Sequence, residues 1–102
     1  MYLDSAMGVG LNVKSNGVTT ANSAGGVTLA PNAQCKFAIS WSPARIAYSI
    51  NGAAVVAITG AALPLSLGTF STTADGQWFG TITTPTVYSQ ALSDATLRAL
   101  TA

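Results

Sequence analysis

Turn-forming residues recur about every ten residues along this chain, a spacing that marks an antiparallel sandwich or barrel. They are Asn16-Gly17, Gly25-Gly26, Pro31-Asn32, Ser42-Pro43, Asn51-Gly52, Pro64 and Asp75-Gly76. Between them the side chains alternate as they do along a half-buried strand. Phe37, Ile39 and Trp41 point one way while Lys36, Ala38 and Ser40 point the other; Ile46, Tyr48 and Ile50 share a face in the next run. The pattern predicts strands over Val9–Ser15, Val18–Ala24, Gln34–Trp41, Arg45–Ile50, Ala53–Ile58, Leu65–Thr69 and Gly80–Tyr88.

Asn51-Gly52 is the sharpest local signal. A two-residue type I′ turn needs positive φ at both central positions, which Asn tolerates and Gly adopts freely. A tight hairpin here pairs Ile50 with Ala53 and Tyr48 with Val55. The other face then sets Ala47 and Ser49 against Ala54, Val56 and Ile58, which is too apolar to lie in water. Either the strands are covered on both sides or a neighbouring subunit covers one. Ala54, Val56 and Ile58 are therefore candidate oligomer-interface residues, and an oligomer is expected.

The chain closes on a helix signal over residues 93–101. Ser93 is a good N-cap, because its hydroxyl can accept from a free first-turn amide. Leu92 before the cap and Leu97 inside the helix form a hydrophobic staple. Asp94 suits the positive helix end and stands four residues before Arg98, the spacing of a helical ion pair. Leu97 and Leu100 are expected to face the sandwich. So short a helix depends on that docking.

At 102 residues the chain is read as one domain, residues 1–102, with residues 1–7 loose. Only 7% of residues are charged, against roughly 25% in an average soluble protein, so solubility rests on Ser, Thr, Asn and exposed backbone. Lys14, Lys36, Arg45 and Arg98 are scattered singly, without the clustered basic face that nucleic acid requires. Met1-Tyr2-Leu3-Asp4 lacks the basic and apolar regions of a signal peptide. The longest apolar run, Gly52 to Leu67, is broken by Thr59, Gly60, Pro64 and Ser66 and falls short of the roughly 20 residues that span a bilayer. Cys35, the one cysteine, alternates onto the side of Phe37 and reads as a small buried hydrophobe.

Catalysis is not expected. With no histidine, neither a Ser-His-Asp nor a Cys-His arrangement can be built, nor a zinc site of Cys and His. Asp4, Asp75 and Asp94 are the only acids. Asp94 belongs to the helix start and Asp4 to the N-terminus, so the carboxylate pair of a glycosidase is missing. No metal and no cofactor is expected. The remaining candidates are aromatic. Trp78, at a loop end beside Asp75, Gly76 and Gln77, either plugs the edge of the core or offers its indole face to a sugar ring. Trp41, next to Ser42-Pro43, carries the same two readings. Tyr48 and Tyr88 fit core positions with hydroxyls reaching a polar edge.

Four stretches in order carry a family resemblance: Arg45-Ile46-Ala47-Tyr48-Ser49-Ile50-Asn51-Gly52, Leu65-Ser66-Leu67-Gly68, Trp78-Phe79-Gly80-Thr81-Ile82 and Val87-Tyr88-Ser89-Gln90-Ala91-Leu92-Ser93. The chain resembles the concanavalin A-like, laminin G-type jelly roll, over residues 36–102 and more loosely over 8–30. Its Ala-rich wording and its ending are similar to such domains at the C-termini of bacteriophage tail and structural proteins. The resemblance implies an all-β fold: an antiparallel β-sandwich, lectin- or glucanase-like, with a short C-terminal helix. A complete fold of this kind has more than seven strands, so the chain matches its second half. Some members bind calcium through loop carboxylates, but Thr83 and Thr84 stand where acids are common, and calcium favours carboxylate ligands.

The expected function is a non-enzymatic virion module of a bacteriophage: tail fibre, spike or head decoration. It would assemble through sheet faces with other virion subunits or with copies of itself, a homotrimer in a fibre. Host surface glycans would be taken up through Trp78, Asp75, Gln77 and Trp41. Such a protein is made in the host cytoplasm and ends in the virion, with no nucleic-acid partner and no membrane insertion. The alternative is a carbohydrate-binding module of a secreted bacterial enzyme or adhesin.

Overall fold

The computed structural model describes residues 2–3, 8–15, 18–59 and 86–102. The chain there is mostly β, with two three-stranded antiparallel sheets and one C-terminal helix. The first sheet runs β1 (Tyr2–Leu3), β2 (Gly8–Ser15) and β3 (Val18–Thr28). The second runs β4 (Phe37–Ser42), β5 (Arg45–Ile50) and β6 (Val56–Thr59). The helix α1 spans Asp94–Thr101. The expected strands over Leu65–Thr69 and over Gly80–Tyr88 as far as residue 85 lie outside the described residues. Thr86, Val87 and Tyr88, expected to end the latter, are exposed and form no strand.

The sheets meet across one apolar layer. Val9, Leu11, Val13 and Leu29 come from the first sheet and the segment after it; Ile46, Tyr48 and Ile50 come from β5. Val27, Cys35, Phe37, Ile39, Val56 and Ile58 close the rim of this cluster. β4 pairs with β5 so that Phe37 faces Ile50, Ile39 faces Tyr48 and Trp41 faces Ile46. The alternation read along these two strands is therefore the observed one.

The two turns of the second sheet solve different problems. Asn51 and Gly52 have φ of 49° and 72°, as a type I′ turn requires, and the Ala53 N–H closes it on the Ile50 carbonyl at 2.9 Å. Asn51 also extends the β4–β5 ladder. Its N–H donates to the Lys36 carbonyl at 2.9 Å, and its Oδ1 accepts from the Lys36 N–H at 2.7 Å. In the other turn, proline fixes φ near −65° at Pro43, so a primed turn is unavailable to Pro43-Ala44. Ser42 ties this turn instead. Its hydroxyl accepts from the Arg45 N–H at 3.1 Å and lies 3.3 Å from the Arg45 carbonyl, to which it donates.

Three expectations are corrected. First, β6 begins at Val56, and its register is Tyr48 with Val56, Ala47 with Ala57 and Ile46 with Ile58. Residues 53–55 leave the ladder, and the Ser49 hydroxyl takes up the Ala53 carbonyl at 2.9 Å. A one-residue change of register exchanges the two faces of a strand. Val56 and Ile58 thus pack against the core, while Ala54 and Ala57 are exposed. The register that put Ala54, Val56 and Ile58 together on the face away from Tyr48 is therefore not the observed one.

Second, Gly25-Gly26 does not end a strand. Val9 pairs with Val27 and Gly10 with Ala24, so the two glycines form a bulge within β3, with Gly26 at φ 68°. Third, within the N-terminal stretch expected to be loose, Tyr2 pairs with Gly10 and Leu3 with Val9, while residues 1 and 4–7 lie outside the described residues.

Candidate functional site

The second sheet presents its other face to α1, which lies across β4 and β5. Ser40, Ala47 and Ser49 are buried there, and Leu97 is fully buried among the helix residues. Ser93 caps the helix as expected, accepting from the Thr96 N–H at 3.2 Å. Leu100, expected to face the sheet, is 43% exposed; Thr101, four residues after Leu97, points inward instead.

Thr101 is the hub of the helix C-terminus. Its Oγ1 accepts from the Gly52 N–H at 3.1 Å, lies 3.0 Å from the Ser49 hydroxyl and donates toward the Leu97 carbonyl at 3.1 Å. Arg98 Nε reaches the Gly52 carbonyl at 3.4 Å, and Lys36 Nζ donates to the Ala102 backbone oxygen at 2.8 Å. A Cβ on Gly52 would stand 3.3 Å from Ala102 Cα, a tight contact to which Ala102 would have to give way slightly.

At the helix N-terminus, Asp94 does not pair with Arg98. It meets Arg45, which donates through both terminal nitrogens at 2.8 and 2.9 Å, a bidentate fork. The guanidinium holds the Asp94 carboxyl below its ordinary pKa, and the carboxylate raises that of Arg45. The Leu92 N–H donates to Ser40 Oγ at 2.9 Å. Among the described residues no buried side-chain nitrogen or oxygen lacks a partner.

Trp41 stands on the opposite, core-facing side of β4, at its end beside the Ser42-Pro43 turn, and is 36% exposed. It is neither sealed in the core nor fully exposed. Tyr48 is fully buried, in keeping with a core role. Tyr88 is 47% exposed, so its expected core placement is corrected. Cys35 is half-buried against the core, and burial pushes its thiol pKa up. The candidates Trp78, Asp75 and Gln77 lie outside the described residues, so Trp41 is not shown together with them. Among the described residues no group of three or more His, Cys, Asp or Glu could hold a metal ion, and no helix is long and apolar enough to cross a membrane.

Local sequence rules could not find the Arg45–Asp94 fork or the Ser49–Thr101–Gly52 cluster, because Asp94 and Thr101 lie 49 or more residues from their partners on β5 and its turn. Comparison with protein-family models, with curated proteins and with solved structures gave no match.

Proposed function

We propose that the chain is a non-enzymatic binding and assembly module built on part of a jelly-roll sandwich, serving in a bacteriophage virion. Trp41 carries this reading. A partly exposed indole at the end of a strand, beside a proline turn, offers what a sugar ring can lie on: a flat apolar face open to water. The low charge of the chain and its resemblance to jelly-roll domains of phage tail proteins support the same reading. Val56 and Ile58 are partly buried against the core, which leaves less of them for assembly with virion subunits or further copies.

The test is binding of the whole chain to an array of bacterial surface glycans, with tryptophan fluorescence as a second readout. Wild type is expected to bind at least one glycan and Trp41→Ala to lose most of that binding while keeping its fold. No binding by wild type removes the attachment role. Binding that Trp41→Ala leaves intact removes Trp41 from it. Light scattering at micromolar concentration tests the assembly role, which predicts a trimer and fails for a monomer.

A further inference from the structure

We infer that α1 is a strap that lifts from the second sheet as one unit, leaving the two-sheet core folded and uncovering a preformed face of β4 and β5. The first ground is the chemistry of that face. Ser40, Ala47 and Ser49 lie under the helix, with Ala38 opposite Ser49 in the ladder. Small and hydroxyl-bearing side chains can lie in water at little cost, since each hydroxyl finds water where it loses a protein partner. The sheet therefore does not need its cover.

The second ground is how the strap is held. Leu97 is its one fully buried apolar anchor. Among the described residues its hydrogen bonds to the sheet sit at its ends: Arg45 with Asp94 and Ser40 with the Leu92 N–H at the start, Thr101, Arg98 and Ala102 with Ser49, Gly52 and Lys36 at the finish. Water can replace such ties singly, so the anchor decides whether the strap is down.

The third ground is cooperativity. Eight residues cannot remain helical in water without tertiary support, so lifting and unwinding are one event with no half-open state. The stretch leading into α1, Thr86–Gln90, is exposed and without regular structure, so no strand or helix there has to break first. Opening of this sort is a sub-global transition of the kind that native-state exchange detects.

Hydrogen exchange on the intact chain, read by mass spectrometry on fragments covering residues 92–102 and 45–50, decides the matter. Wild type should exchange the 92–102 amides through an opening that leaves the 45–50 amides protected. Leu97→Ala should speed exchange of 92–102 at least about tenfold, given what truncating a buried leucine costs, and leave 45–50 unchanged. Thr101→Val, which keeps shape but removes the hydroxyl, should speed the same segment by a smaller factor. The inference fails if both segments exchange together in wild type and in Leu97→Ala, or if neither variant alters residues 92–102. It also fails if Leu97→Ala loses the sheets, since a strap is by definition dispensable to them.

Discussion

On one face of β5, Ile46, Tyr48 and Ile50 enter the layer between the sheets; on the other, Ala47 and Ser49 lie beneath α1. Both faces are buried, yet the burial differs in kind. Large apolar side chains interlock with Val9, Leu11 and Leu29, and no solvent arrangement replaces those contacts. Small and hydroxyl-bearing residues are covered by a helix that contributes one leucine and a set of hydrogen bonds. The first face holds the fold together. The second face receives an element that the fold can release, and fractional burial alone does not tell the two apart.

The largest expected effect falls on the core face. Ile50→Ala leaves a cavity between the sheets and should cost about 2–5 kcal/mol of global stability, measured by denaturant unfolding. For a domain this small such a loss approaches the whole margin, so partial unfolding at room temperature is the expected result. A loss below about 1 kcal/mol, at the level of one net hydrogen bond, would erase the distinction between the faces.

Next comes Gly52→Ala, which acts on both the turn and the strap. A residue other than glycine at φ 72° costs about 1–2 kcal/mol, and the added Cβ crowds Ala102. A Leu97→Ala background separates the two contributions, because only the turn strain should remain once the strap is lifted. Equal costs in both backgrounds would show that Gly52 does not feel the helix. Ser49→Ala should be milder. It removes the donor to the Ala53 carbonyl and one neighbour of Thr101, at about 1 kcal/mol, read as faster exchange in α1 with β5 unchanged.

Much of this arrangement was legible in the sequence, and what was missed follows a physical rule. The bounds of β5, the positive φ of Asn51-Gly52, the alternation that puts Phe37 with Ile39 and Tyr48 with Ile50, and the Ser93 cap are all set within a few residues by alternation or turn chemistry. The register of β6 was not. The turn specifies how the chain reverses, but the Ser49 hydroxyl draws the Ala53 carbonyl out of the ladder, and a one-residue offset then exchanges the faces. Gly25-Gly26 misled because glycine at positive φ serves a bulge as well as a turn, and only the Val9–Val27 pairing distinguishes them. Leu100 gave way to Thr101 because apolarity was weighed without the hydroxyl partners that the hairpin supplies. Of the candidate glycan residues, Trp41 was legible as a strand-end aromatic, and it is partly exposed.

The smallest expected effect, and the sharpest separation of the two faces, lies in pH. Asp94 has a lowered pKa because Arg45 donates to it twice, and both groups are at the surface. A carboxyl whose folded pKa lies below its unfolded value adds stability that is fully present above the unfolded value, about 4 for aspartate. That stability is lost as pH falls from there through the lower folded value. Exposed pairs are weak and screened by salt, so the effect should be slight and should shrink at high ionic strength. The loss should show in α1 alone: on lowering the pH from 6 to 3, after correction for the intrinsic pH dependence of exchange, residues 92–102 should lose protection while residues 45–50 keep theirs. Asp94→Asn should abolish that pH dependence and leave a helix slightly less protected at neutral pH. If acid instead weakens both segments equally, the fork belongs to the global fold, and the division between a permanent face and a releasable one fails at the helix N-terminus.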